Sequence, residues 1–108
     1  MTMKTLGRFN VATPGTPVPL TSDTTVHASK LLFQAIPGLT GKTYVGNTGL
    51  NKTTLANTAR VLAPNPASGF SETFYIEAQD GDNSMRVADY AIDADVAGEG
   101  LLVTYWTE

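Results

Sequence analysis

Between Asp89 and Trp106 the chain reads DYAIDADVAGEGLLVTYW, and this stretch most constrains the fold. Two strand-like runs flank a Gly-rich turn, Ala97-Gly98-Glu99-Gly100. In the first run Tyr90, Ile92, Ala94 and Val96 alternate with Ala91, Asp93 and Asp95. A period of two places the first set on a buried face and the second on a wet face of one strand. The two runs are therefore expected to form a closing hairpin that ties the C-terminal strand into a sheet.

The rest of the chain repeats this grammar. Phe9 and Val11 alternate with Arg8 and Asn10 over residues 7–12. Leu31, Phe33 and Ala35 share one face of a strand over 30–36, which Pro37-Gly38 ends. A short strand is expected from Lys42 to Val45, before the turn Gly46-Asn47-Thr48-Gly49, and another over 58–63. Residues 72–79 put Phe74, Ile76 and Ala78 on one side and Tyr75, Glu77 and Gln79 on the other. Asp80-Gly81-Asp82-Asn83 then turns the chain so that Ser84 to Val87 pairs back. Residues 51–57 have room for one helical turn. Ten Gly and six Pro in 108 residues punctuate the chain too densely for long helices. The expectation is an all-β fold: a single small antiparallel β-sandwich, Ig-like or jelly-roll-like, of about seven or eight short strands. One domain spans residues 1–108. The prolines of Thr13 to Ser22 exclude a central strand, and residues 1–20 read as an extended Pro-rich N-terminal arm.

Composition narrows the chemistry. There is no cysteine, so disulfides and thiolate zinc sites are excluded. No apolar run reaches the roughly 18 residues of a membrane span. The first fifteen residues lack a signal-peptide apolar core, so the expectation is a protein made in a cytoplasm and not exported by that route. Net charge is −3, unevenly spread. Residues 1–54 carry five cations against Asp23, a balance of +4. Residues 55–108 carry Arg60 and Arg86 against nine acids, a balance of −7. Interleaved strands would average this polarity out; separate halves would let copies meet head to tail. An acidic chain without a basic stripe is a poor nucleic-acid binder.

Motifs that carry chemistry fall short one by one. PGLTGKT at 37–43 has Gly41-Lys42, but the position five before Gly41 is Ile36, and a strand follows where a phosphate loop needs a helix. DGDNS at 80–84 alternates oxygen donors like a calcium loop, yet Met85 and Ala91 stand where Gly and a bidentate Glu belong. Asp93, Asp95 and Glu99 could hold a cation only if they converge; solvated acids are the simpler reading. His27 with Ser22 or Ser29 and Asp23 would all come from one polar loop, whereas a nucleophile relay draws on separate rigid elements. Glu72 and Glu77 read as surface acids. Tyr44, Tyr75, Tyr90, Tyr105 and Trp106 are core or interface aromatics, or else a sugar-stacking platform. The sequon Asn51-Lys52-Thr53 has no secretory context. No catalytic, cofactor-binding or metal residue is assigned, and no cofactor is expected.

Three segments carry a family resemblance: TPGTPVPLTS at 13–22, IPGLTGKTYVGN at 36–47 and DYAIDADVAGEGLLVTY at 89–105. In this order and spacing they resemble small β-sandwich structural proteins of tailed bacteriophages, which read G-T-P-V-x-L, then P-G-N-T-G-x-x-Y-V-G, then Y-I-D-A-x-x-x-G-E-G-V. This chain departs at Leu39, where Asn is common, and at Leu101, where Val is common. The resemblance implies a non-enzymatic virion component, foremost a capsid decoration (cement) protein. Its implied partners are the major capsid protein and copies of itself, a trimer being the typical assembly; no nucleic acid and no membrane are implied. A tail or head-fibre accessory protein and a host-surface carbohydrate-binding module are the alternatives. The Pro-rich arm would lie on the shell.

Overall fold

The computed structural model describes residues 2–36, 40–63, 73–78 and 84–107. Ten strands appear among them: β1 (Thr2–Asn10), β2 (Val18–Pro19), β3 (His27–Ala28), β4 (Lys30–Ala35), β5 (Thr43–Asn47), β6 (Thr58–Leu62), β7 (Thr73–Glu77), β8 (Met85–Arg86), β9 (Tyr90–Ala94) and β10 (Gly100–Thr107). One three-residue 3-10 turn, Val87–Asp89, precedes β9. The count exceeds the expected seven or eight because β2, β3 and β8 are two-residue strands, too short to show a period.

The pairing follows one rule. β1 pairs with β10, β2 with β9, β3 with β8, β4 with β7 and β5 with β6, each antiparallel. The chain is thus one long hairpin whose tip is the loop between β5 and β6. Two further antiparallel contacts, β10 with β4 and β9 with β5, roll that hairpin into two four-stranded sheets. The first sheet has the order β1-β10-β4-β7 and the second β2-β9-β5-β6; β3 and β8 form a small third sheet. Leaving the small pair aside, the strands counted along the chain run first, eighth, third, sixth in one sheet and second, seventh, fourth, fifth in the other. That is the order of a jelly roll rather than of an immunoglobulin domain.

The core lies between the sheets. Leu31, Phe33 and Ala35 of β4 and Leu101 and Val103 of β10 face Val45 of β5, Leu62 of β6 and Ile92 and Ala94 of β9. All are fully or almost fully buried. Val11 and Leu20, on either side of the Pro-rich segment, are buried in the same core.

Several expectations need correction. Residues 2–20 are not an extended arm. β1 runs the length of β10 and β2 forms the edge of the second sheet, so both are built into the sandwich. The prolines do keep β2 at an edge, where a missing N–H costs no ladder bond. The Asp89–Trp106 stretch is not a hairpin: β9 and β10 belong to different sheets. The turn between them is bonded instead to Val11, whose N–H donates to the Glu99 carbonyl and whose carbonyl accepts from Gly98 N–H. Asp93, expected on a wet face, is 1% exposed, and Val96, expected inside, lies past the strand end and is exposed. Met85 and Arg86 pair with β3 rather than returning to β7. Residues 51–57 form turns, with Leu55 and Asn57 at positive φ (63° and 55°), not a helical turn. The hairpin pairing also interleaves the basic and acidic halves: Lys30 meets Glu77 at 3.5 Å and Lys52 meets Asp95 at 3.2 Å. The halves therefore do not form two opposed charged surfaces.

Candidate functional site: an acidic clasp and an uncovered sheet face

The outer faces of the two sheets differ. On the second sheet, Tyr44 and Ala91 are buried in a small separate cluster with Leu50, against which Val61 packs. The chain covers this face itself. Asn51 Oδ1 accepts from the N–H groups of Thr53 and Thr54, an Asx turn that folds the β5–β6 loop compactly. From the other side Gly15 donates its N–H to Asp93 Oδ1 at 3.1 Å.

Three carboxylates clasp this covering. Asp93 Oδ1 also accepts from Ala94 N–H at 2.8 Å, while its buried Oδ2 finds no partner among the described residues. Asp95 Oδ1 accepts from the Tyr44 hydroxyl at 3.0 Å and from Lys52 Nζ at 3.2 Å. Desolvation raises the Tyr44 phenol pKa, and the neighbouring Asp95 and Asp93 carboxylates raise it further. Glu99 closes the next loop: Oε1 and Oε2 accept from Thr40 N–H at 3.2 and 2.9 Å, Oε1 from Gly41 N–H at 3.0 Å, and Oε2 from Thr40 Oγ1 at 2.9 Å. Desolvation pushes the Glu99 carboxyl up, but the bonds from Thr40 and Gly41 outweigh it, and the net shift is downward. The acids expected to be solvated or to share a cation are each occupied by the chain. Among the described residues no three His, Cys, Asp or Glu side chains converge as a metal site, and no pocket is found.

The Glu99 clasp makes a testable contribution. A carboxylate with a depressed folded-state pKa stabilises above its unfolded pKa, near 4.5, and loses that contribution as pH falls through the folded value. Because Glu99 is only partly buried, solvent screening limits the effect to about 0.5–1 kcal/mol. Melting curves between pH 7 and pH 3 should show Glu99→Gln less stable than the parent at pH 7, with the gap closing below pH 4. A constant gap across that range would refute the ionic character of the clasp.

Comparison of the chain with protein-family models, curated proteins and solved structures finds no match. The described residues of the segments 13–22, 36–47 and 89–105 meet in space. β2 pairs with β9 and β9 with β5, and Asp93, Asp95 and Glu99 of the last segment reach Gly15 of the first and Thr40, Gly41 and Tyr44 of the second.

The remaining sequence candidates separate. His27 is exposed; its Nδ1–H donates to Thr25 carbonyl oxygen at 3.0 Å, while Asp23 turns onto Thr25 and buried Ser29 donates to the Trp106 carbonyl. They do not form a relay. Lys42 is exposed. Gly38, Glu72 and Asp80 to Asn83 lie outside the described residues. Glu77 is a surface acid paired to Lys30. Among described residues no helix is long and apolar enough to cross a membrane.

The aromatics divide. Tyr44 is buried, Tyr90 and Tyr105 pack against the main core, and Tyr75 and Trp106 stand on the outer face of the first sheet. That face was not singled out from sequence. Register places Met3, Trp106, Lys30 and Glu77 in one row across β1, β10, β4 and β7; Thr5, Thr104, Leu32 and Tyr75 in the next; and Arg8, Leu102, Gln34 and Thr73 in the third. Met3 and Tyr75 are each more than half exposed, and Leu102 is 37% exposed. Lys30 Nζ sits 5.4 Å from the Tyr75 ring centre and 5.7 Å from that of Trp106. Among the described residues, three of the five exposed large hydrophobic residues lie here, more than on any other face.

Proposed function

We propose that this chain is a virion structural protein of a tailed bacteriophage, acting as a capsid decoration protein that binds the major capsid protein and copies of itself. The observation that carries the reading is the spatial convergence of the three resembling segments. They supply β2, β5 and β9, which are neighbours in the second sheet, and the clasps that bind them, while the last segment also supplies most of β10 in the first sheet. The jelly-roll order is compatible, since viral capsid domains use it, although lectins and cupins use it too. Tyr44 lies in the interior as a structural role requires. Contacts made only on the assembled shell would turn binding energy into resistance to internal pressure.

The test is co-sedimentation of the purified protein with undecorated phage shells, with the shell melting temperature read in parallel. Stoichiometric co-sedimentation and a raised melting temperature are expected. If shells neither bind the protein nor gain stability, the decoration role is wrong and tail assemblies become the next partners to test. The exposed Tyr75 ring favours a second reading, a glycan-binding module, which predicts that Tyr75→Ala abolishes signal on a glycan array.

A further inference from the structure

We infer that the outer face of the first sheet is an isologous interface with a second copy of this chain, in which the sheets cross at about a right angle and Arg8 of each copy pairs with Glu77 of the other. The inference rests on the self-association part of the proposed function. The two outer faces contrast sharply. One is covered by the chain's own loops and clasped by carboxylates; the other, among the described residues, carries Met3, Leu32, Tyr75, Leu102 and Trp106 with nothing laid across them.

Charge selects the occupant and its orientation. Strands about 4.8 Å apart put β1 and β7 about 14 Å from one another, and the four residues from Leu102 to Trp106 span about 13 Å along the strand. The face is nearly square. Its corners are Met3, Glu77, Thr73 and Arg8. Two copies packed face to face about a two-fold axis lying in the interface have four simple orientations. An axis along the strands sets Arg8 over Thr73, and one across the strands sets Arg8 over Met3. An axis through the Arg8 and Glu77 corners stacks like charges. Only the axis through the Met3 and Thr73 corners sets Arg8 over Glu77, and it does so twice. This orientation turns strands onto strands at about 90°, an established mode of sheet packing. It also brings Leu102 over the second copy's Tyr75 and Leu32 to the centre. Glu77 is 51% exposed with Lys30 at 3.5 Å on Oε2, which leaves Oε1 for an arginine. Arg8 uses Nε on Asn10, which leaves its two terminal nitrogens. The contact makes pairs, unlike the trimer that the resemblance implies.

A four-stranded face of this size buries about 500 Å² per copy, the low end for a specific dimer, so association in the micromolar range is expected. The experiment is sedimentation equilibrium from about 1 to 500 μM, with no capsid present. Arg8→Glu and Glu77→Arg should each weaken the dimer about tenfold or more, and the double variant Arg8→Glu/Glu77→Arg should restore it to within about threefold. Leu102→Glu should leave a monomer. Circular dichroism and melting temperature verify that these surface variants fold. A monomer at every concentration, reversals without effect, a double variant that stays weak, or a trimer indifferent to Leu102→Glu would each overturn the inference. A monomeric parent whose shell binding is lost in Leu102→Glu would give the face to the capsid protein, overturning the dimer while leaving the decoration role intact. A dimer that ignores shells would do the reverse.

Discussion

Gly100→Ala is expected to cost about 3–5 kcal/mol, a large share of the 5–15 kcal/mol that holds a domain of this size together. Gly100 opens β10 opposite Asn10, and β1 lies directly against it. A Cβ built on Gly100 runs into the carbonyl oxygen of Phe9, and stands 2.7 Å from the carbonyl carbon and 2.9 Å from the Asn10 Cα. These are backbone atoms held by the β1–β10 ladder, so no rotamer change makes room. The strands must separate at this end, losing ladder bonds and exposing Phe9 and Leu101. Chemical denaturation should therefore show a large loss of stability, and amide exchange should accelerate across residues 8–11 and 98–102 ahead of the rest. Thr104→Ala, on the outer face of the same strand, should stay within about 0.5 kcal/mol of the parent. A Gly100→Ala protein as stable as Thr104→Ala would mean that the close approach of β1 to β10 is not as described.

The second large effect is at the centre of the core. Phe33 is fully buried in the middle of β4, opposite Val103 on one side and Phe74 on the other. Its ring lies 6.3 Å from that of Phe74 at an interplanar angle of 23°, a stacked arrangement. Truncation to Ala removes the largest wholly buried side chain among the described residues from the space between the sheets. A loss of about 3–5 kcal/mol is expected, because strands locked in two ladders cannot collapse into the void. The urea midpoint should fall while the slope stays constant, which would mark a change of stability rather than of the unfolded ensemble. A loss under about 1 kcal/mol would show that the sheets close around the gap.

What was legible in the sequence follows the physics of each strand. β4 and β7 show the period of two because each has one face in the core and one toward solvent: Leu31, Phe33 and Ala35 against Lys30, Leu32 and Gln34; Phe74 and Ile76 against Tyr75 and Glu77. β9 breaks the rule because both its faces are covered, so Asp93 read as wet and is buried. Nothing near Asp93 announces that Gly15, 78 residues earlier, will lie over it. Glu99 likewise finds Thr40, 59 positions away. β1 was seen only from residue 7 because a bulge between Thr5 and Gly7 shifts its phase. Gly7 takes a φ of 81° there, and Leu6 and Phe9 pack against the core although three positions separate them. The uncovered face was invisible for a related reason. Met3, Leu32, Tyr75, Leu102 and Trp106 come from four strands, and only the register assembles them.

The nested pairing sets the order in which the molecule can form. The innermost pair joins Gly46 to Thr58, 12 positions apart, and the outermost joins Thr2 to Thr107, 105 apart. Closing the outer pair directly would demand a very large loop, but once an inner pair exists the next needs only the short segments between them. Folding should therefore zip outward from the β5–β6 tip, and its dependence on distant partners predicts a slow, millisecond-to-second process. β10, placed between β1 and β4, completes the first sheet last, so on the ribosome β1 waits without its neighbour until the eight residues of β10 emerge.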